Sequence, residues 1–407
     1  FYTQQEIKDI ISFPAAKSVA QTSVAIDWPR FMAGNDLVYD TLTTKWEEGA
    51  FTGNGLLGAM LYLKDKNSLR LEVGRTDVTD HRKNETSQLF ANLFAKARLP
   101  IGHFELRPVG NIKKITARLD LWNAEIRGVI VTDKGTIEWK TLTLSQTNVI
   151  VFETKVSGYE KDFAWQFFPE QSLSSRVKFT AAPAGYTANP PAVFGKEDKV
   201  DYCRQPFSNG GDYVTAWFTQ TNALSKTYFI TVAITKQSTS GADAIKTLQT
   251  AGNSNLKELT AVHRKYWHRY YPESFVSFPD TRIQGFYWAQ QYKLASATRQ
   301  GKPPIDLMGP WFRYTPWPAY WFNLNIQLTY SPLFAANHLL LSEGLVKMID
   351  DGKENLIRNV PEEYRHNAAA LGRTAAVDLY SPLKVFSNRD TTAGDASLEL
   401  GNLTWVL

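Results

Sequence analysis

Three side-chain amides, Asn323, Asn325 and Gln327, recur at every second position of the stretch TPWPAYWFNLNIQLTYSP, residues 315–332. A carboxamide is uncharged and carries both donors and an acceptor, so it can hold a hydroxyl or orient a water molecule. Leu324 and Ile326 alternate with the amides; Trp317, Tyr320 and Trp321 precede them, and Trp311 lies just upstream. Indole and phenol rings offer flat apolar faces with a polar handle, which suits a ligand ring that is apolar on one face and hydroxylated at its rim. Pro316 and Pro318 each disfavour helix in the residue before them. If residues 321–325 are extended, Asn323 and Asn325 point to one side and Leu324 to the other. The same residues also read as a packed aromatic corner whose amides cap a following helix, and composition alone does not choose between the two.

A second cluster, EVGRTDVTDHR at 72–82, brings together Glu72, Arg75, Asp77, Asp80, His81 and Arg82. Asp77, Asp80 and His81 are metal-ligand types, but no second His/Asp cluster completes a coordination shell, so no metal is expected. An ion-pair network is the expectation. If that network faces a pocket, Asp77 and His81 become candidate ligand-binding residues, because such groups fix polar atoms directionally. The glycines of WEEGAFTGNGLLGAMLY, residues 46–62, read as a tight turn into a strand. They are not a phosphate loop, since no Lys-Ser/Thr follows and no helix opens. There is no Gly-x-Ser-x-Gly, and the lone Cys203 lacks a nucleophile's setting, which argues against acyl transfer. Acid–base cleavage of a glycosidic bond needs two carboxyl groups. Glu343, Asp350, Glu362, Asp378 and Glu399 follow the amides in charge-rich stretches, and spacing singles out no pair.

These groups must be positioned by two kinds of element. Between about 50 and 235, segments such as SLRLEVG, GTIEWKTLTLS and TYFITVAITK alternate apolar and polar residues between turn residues. Many short strands without intervening helical patterns predict an antiparallel sandwich. Residues 169–212 are rich in Pro, Gly and Ala and are expected to form a long loop. From about 240 the period becomes helical, with amphipathic stretches through 241–271 and 280–301, then near 324–341, 342–350, 353–358, 361–370 and 396–407. The expected division is an N-terminal extension (1–30), a β-domain (31–240), a helical linker (241–300) and an α-helical domain (301–407).

The bulk numbers exclude several classes. With 43% apolar and 21% charged residues, a sizeable core is expected. The net charge of +5 is spread along the chain, and the densest basic run, HRKYWHRYY, is short and half aromatic, so no nucleic-acid partner is expected. One cysteine permits no intrachain disulfide. No apolar run approaches the ~18 residues of a membrane span. The N-terminus is neither a signal peptide nor a starting Met, so a mature or trimmed chain is expected. The triplets at 84–86 and 402–404 fit the glycosylation pattern but are common by chance. The ending ASLELGNLTWVL carries no cap or basic last turn and reads as a cut inside a helix.

In their order, these segments resemble bacterial glycosidases related to glycoside hydrolase family 95, inverting α-L-fucosidases and α-L-galactosidases. WEEGAFTGNGLLGAMLY is similar to the opening strand of those chains, and FNLNIQLTY to their Asn-x-Asn-x-Gln segment at the entrance of an (α/α)6 barrel. The resemblance implies a β-supersandwich, a helical linker and the first part of an (α/α)6 barrel. It further implies an exo-acting, inverting hydrolase of oligosaccharide or polysaccharide, without cofactor, in a periplasmic or extracellular setting. On it, Asn323 and Asn325 orient the attacking water, Gln327 and Tyr330 flank them, and Trp311, Trp317 and Trp321 line the sugar subsite. GNLTWVL resembles the stretch before the family's catalytic acid, which would then lie beyond Leu407. A chain of 407 residues would be inactive alone and would associate with the remainder of its barrel. Where the family carries a His-containing stretch, this chain has GRTAAVDLY. A non-catalytic carbohydrate-binding module would keep the same aromatic platform without an acid.

Overall fold

A computed structural model describes residues 25–82, 91–236 and 240–381. Most of residues 1–30, the helix expected at 396–407 and both glycosylation-type triplets lie outside those ranges. After a short helix, α1 (Trp28–Ala33), come fourteen strands: β1 (Leu37–Tyr39), β2 (Ala50–Gly53), β3 (Leu57–Asp65), β4 (Ser68–Arg75), β5 (Gly102–Arg107), β6 (Ile112–Asp120), β7 (Glu125–Thr132), β8 (Gly135–Thr143), β9 (Ile150–Gly158), β10 (Ala164–Pro169), β11 (Val193–Glu197), β12 (Val200–Pro206), β13 (Asp212–Asn222) and β14 (Ser225–Thr235). They form two antiparallel sheets, one ordered β1-β6-β7-β8-β9-β14-β13-β12-β11 and one ordered β10-β5-β4-β3-β2.

The period-2 alternation explains the layers. Leu61 and Leu63, Leu69 and Leu71, and Phe104 and Leu106 face inward from the smaller sheet, while Tyr62, Arg70, Glu72, His103 and Glu105 face out. Between the sheets an aromatic stack closes the core: Phe152 and Trp165 centroids lie 4.9 Å apart, and Trp165 and Tyr228 4.4 Å. Such contacts add to the hydrophobic gain of burial.

The expected loop at 169–212 holds only in part. Residues 193–206 form the hairpin β11–β12 on the edge of the larger sheet. Its tight turn places Asp198 at φ +51°, a conformation Asp tolerates better than most residues. The Pro/Gly/Ala composition around it and the irregular burial along β12, where Cys203 and Gln205 are buried on either side of exposed Arg204, hid the strand from the sequence.

Helices follow: α2 (Gly241–Asn253), α3 (Leu256–Tyr270), α4 (Thr281–Ala297), α5 (Asn325–Ala335), α6 (Glu343–Asp351) and α7 (Lys353–Arg358). Ala244, Ile245 and Leu248 of α2 pack on Val214, Ala216 and Phe229 of the larger sheet. Asn255 and Asp280 cap α3 and α4, accepting hydrogen bonds from Lys257 N–H and Arg282 N–H respectively. The stretch 362–367 is 3-10 rather than α-helical. Among the described residues no helix is long and apolar enough to cross a membrane.

Candidate functional site

The segment leading to the amides is threaded across the smaller sheet. Gly58 and Gly74 sit opposite one another in adjacent strands, and a Cβ on either would run into Pro310. Glycine is required there because another stretch of backbone lies against the sheet. Trp311, next in the chain, is buried; its indole N–H donates to the Thr52 carbonyl at 2.9 Å, and its ring meets Phe51 edge-on at 5.0 Å. A buried ion pair pins this segment: the Arg98 guanidinium donates to Asp306 Oδ2 at 2.9 Å, while Asp306 Oδ1 accepts from the N–H groups of Met308 and Gly309. Arg98 N–H also donates to the Pro318 carbonyl, and Ser175 Oγ to the Thr315 carbonyl.

A two-residue strand, β15 (Tyr320–Trp321), pairs with β16 (Thr374–Ala375). There the extended backbone stops. Phe322, Asn323 and Leu324 form a turn, Leu324 N–H donates to the Phe322 carbonyl, and Leu324 adopts φ +77°. The extended reading of 321–325 is therefore corrected: Asn323 and Asn325 flank a left-handed residue and do not share a strand face. The proline bias extends only to the residues preceding Pro316 and Pro318, and pairing with β16 ends at Trp321. A β-carbon at positive φ costs roughly 1–2 kcal/mol, and Leu324 is 61% exposed, so burial offsets little of it. Backbone strain of this kind concentrates at functional sites.

Asn323 and Asn325 are both exposed, and among the described residues neither side-chain amide has a hydrogen-bond partner. Gln327 turns inward: its Nε2 donates to the Phe322 carbonyl at 2.6 Å and braces the turn. Tyr330 is buried, and its hydroxyl accepts from Ile305 N–H. Trp317 is 47% exposed and stands 5.6 Å from the half-buried Trp321, the two rings tilted by 52°. Trp321 rests on Leu93, Phe94 and Ala319. Asn325 and Trp311 line a separate groove of about 660 Å³ between α4, residues 305–311 and α5. Among the described residues Asp306 is the one acidic residue in its lining, and Arg98 engages it.

The ion-pair expectation for residues 72–82 fits the geometry. Arg75 grips Asp77 through two hydrogen bonds, of 2.6 and 2.9 Å. Burial opposes the Asp77 charge, but Arg75 outweighs it and holds the carboxyl below its usual range. Asp80 pairs with Arg82 and accepts from Asn189. Asp77 lines a cleft of about 210 Å³ together with Lys236 and Tyr320, so it borders the aromatic segment. The His81 ring meets Phe207 edge-on at 5.0 Å; burial, and then Lys236, lower its pKa and favour the neutral imidazole. Among the described residues no three His, Cys, Asp or Glu side chains converge as metal ligands.

Sequence reasoning missed a polar network on the outer face of the smaller sheet. Tyr62 Oη donates to Glu72 at 2.6 Å, and Arg70 bridges Glu72 and Glu170. Tyr314 Oη donates to Glu170 at 3.1 Å, tying the network to the start of the aromatic segment. His103, with Arg70 and Tyr314, outweighs the cost of burial and holds the Glu170 carboxyl down to about 2. The signal was present as outward polar residues on three neighbouring strands, but their convergence needed the pairing register.

Similarity to known proteins is confined to the fold. No family model matches the sequence, and no curated protein matches it. The structure is similar to a protein assigned as a kojibiose phosphorylase, from the human microbiome, at 10% identity and TM-score 0.54, over 85% of this chain and 50% of that one. A bacterial glucoamylase complexed with acarbose gives 11% identity and TM-score 0.43, over 85% and 56% respectively. An α-mannosidase of Bacteroides thetaiotaomicron gives 7% and 0.28, over 67% and 40%. The first likeness carries the fold: a large antiparallel β-region followed by helices is shared with a carbohydrate-active protein. The chain spans about half that protein's length.

Proposed function

We propose that this chain is the β-domain and first barrel helices of a glycoside-cleaving enzyme, in which Trp317, Trp321 and Asn323 form a sugar subsite. The observation that carries the reading is the pair of adjacent indoles leading directly into a strained, exposed turn with unengaged amides. Aromatic faces stack on the apolar side of a sugar ring, and free carboxamides answer its hydroxyls in a way that a packed corner would not leave open. Gln327 serves the turn. Trp311 lies beneath, in the floor of the neighbouring groove. Asp77 borders the same segment at Tyr320, while the neutral His81 packs against Phe207; a ligand contact by either is a part of the proposal.

The finer reading is an inverting exo-hydrolase in which Asn323 and Asn325 orient the attacking water for a terminal L-fucose- or L-galactose-like sugar. It rests on the resemblance of the Asn-x-Asn-x-Gln segment. The groove beside Asn325 leaves Ile283, Phe286 and Leu328 more than half exposed, as expected if further barrel helices pack there. Among the described residues no free acid lines that groove, because Asp306 is committed to Arg98, and the 407-residue chain is expected to bind glycan without turning it over. The reading implies a periplasmic or extracellular protein.

The test is release of a terminal monosaccharide from aryl glycosides and oligosaccharides by the whole enzyme, with and without inorganic phosphate. Phosphate-independent release of the inverted anomer supports hydrolysis. Strict phosphate dependence would assign phosphorolysis instead. Activity untouched by Asn323→Ala and Asn325→Ala would remove the roles given to them. Binding by these residues in the absence of any turnover in the whole enzyme would favour a non-catalytic carbohydrate-binding module.

A further inference from the structure

The β8–β9 connection, α3, the residues following α4 and the stretch 338–341 enclose a polar cavity of about 230 Å³ whose lining includes none of residues 315–332. Arg269, Arg299 and Lys302 line it, against one carboxylate, Glu273. Arg299 is 5% exposed and has no carboxylate partner among the described residues. Its guanidinium donates to the carbonyls of Ala295 at 2.7 Å, Ser145 at 3.2 Å and Gly53 at 3.3 Å, and lies 3.8 Å from the Tyr266 ring centroid. Carbonyl dipoles and a ring face stabilise a cation but supply no net negative charge. Glu273 is turned to His338, whose Nδ1 lies 3.0 Å from it and whose ring stacks on Tyr270. Lys302 has no ion pair among the described residues; burial, then Arg75 and Arg299, lower its pKa.

A buried cation without an anion is costly, and a bound anion would offset that cost. The cavity lies below the ~300–1,000 Å³ of sites for drug-sized ligands, too small for an oligosaccharide. Cationic groups from α3 and from the residues after α4 converge on it, which suits an anion with several oxygens. We propose that this cavity binds a small tetrahedral oxyanion, with inorganic phosphate as its representative, held by Arg299, Lys302 and Arg269. The bound anion ties the β8–β9 connection to the helices, because Arg299 already holds Ser145 and Gly53 of the β-domain.

The experiment is calorimetric titration of the 407-residue chain with sodium phosphate, against sodium chloride at matched ionic strength. Saturable phosphate binding and a phosphate-specific rise in the thermal midpoint are expected, because a ligand that binds only the folded state stabilises it. Lys302→Gln and Arg269→Gln should each weaken binding about tenfold, the loss of one charge-assisted hydrogen bond. Lys302→Arg should retain it. Lys265→Gln, which removes an equal charge on the same helix outside the cavity, should leave it within about twofold on that basis. Absence of phosphate-specific binding in the wild type, or equal weakening by Lys265→Gln, would overturn the site. Glucose 1-phosphate serves as a second probe: binding of it with no binding of inorganic phosphate would overturn the assignment to a free oxyanion.

Discussion

Removing the charge of Asp306 tests how the aromatic segment is held. The Arg98–Asp306 pair is nearly dry, with side-chain exposures of 3% and 1%. Asp306→Asn keeps an oxygen for the Met308 and Gly309 N–H groups, so the loop's backbone hydrogen bonds survive. What changes is the face toward Arg98, where a carboxylate becomes an amide that cannot neutralise a buried guanidinium. Breaking a buried pair from one side costs roughly 3–5 kcal/mol. Asp306→Ala additionally strands two buried backbone donors, at about 1–3 kcal/mol each. The assay is equilibrium denaturant unfolding followed by circular dichroism, with a double-mutant cycle through Arg98→Met. Asp306→Asn should lose at least about 3 kcal/mol, and the Arg98→Met/Asp306→Asn pair should recover part of it, because no cation is then buried unpaired. A loss below about 1 kcal/mol, or a double variant that is simply additive, would mean that Asp306 does not neutralise a buried charge on Arg98.

Gly74→Ala should cost about 1–3 kcal/mol from overpacking against Pro310 and should alter the fluorescence of Trp311; an unchanged spectrum and stability would show that the crossing is not tight. His263 is buried between Ser145 Oγ, at 3.0 Å, and the Asn123 and Ala124 carbonyls. Burial, then Arg299, push its pKa down to about 4. The folded state therefore favours the neutral ring, so its contribution is full above about pH 6.5 and is lost as pH falls towards 4. Wild-type stability should drop more steeply than that of His263→Gln across that window, and parallel curves would contradict this. Leu324→Gly should stay within about 0.5 kcal/mol of wild type, relief of positive φ offsetting lost contacts and greater freedom of the unfolded chain, whereas Leu324→Val should lose about 1–2 kcal/mol; equal losses would mean the turn carries no strain.

The sheets were legible because one buried face imposes a two-residue period, and the helices because their periodicity changes near 240. The residue types of the amide segment could be read from the sequence, but its geometry could not. Alternating residue types suggested a strand, while the backbone turns at Leu324, a residue whose type gives no hint of positive φ. Likewise Trp311 and Trp317 look alike in the chain, yet one lies against Thr52 and the other is half exposed. What covers an indole is decided by distant segments. Gly58 and Gly74 acquire their meaning only from the register that pairs them and from Pro310 crossing above. The Arg98–Asp306 pair spans 208 positions and the Arg299–Ser145 contact 154, so neither local pattern nor spacing could announce them.

Trp317, Trp321 and Asn323 are proposed to hold a sugar. The direct measurement is a titration of the purified chain with a panel of fucose-, galactose-, glucose- and mannose-terminated oligosaccharides, read by tryptophan fluorescence and calorimetry. Saturable binding of at least one is predicted, abolished by Trp317→Ala or Trp321→Ala and weakened about tenfold by Asn323→Ala, the loss of roughly one hydrogen bond. Binding that persists unchanged in Trp317→Ala and Asn323→Ala, or a wild-type chain that binds none of the panel, would contradict it.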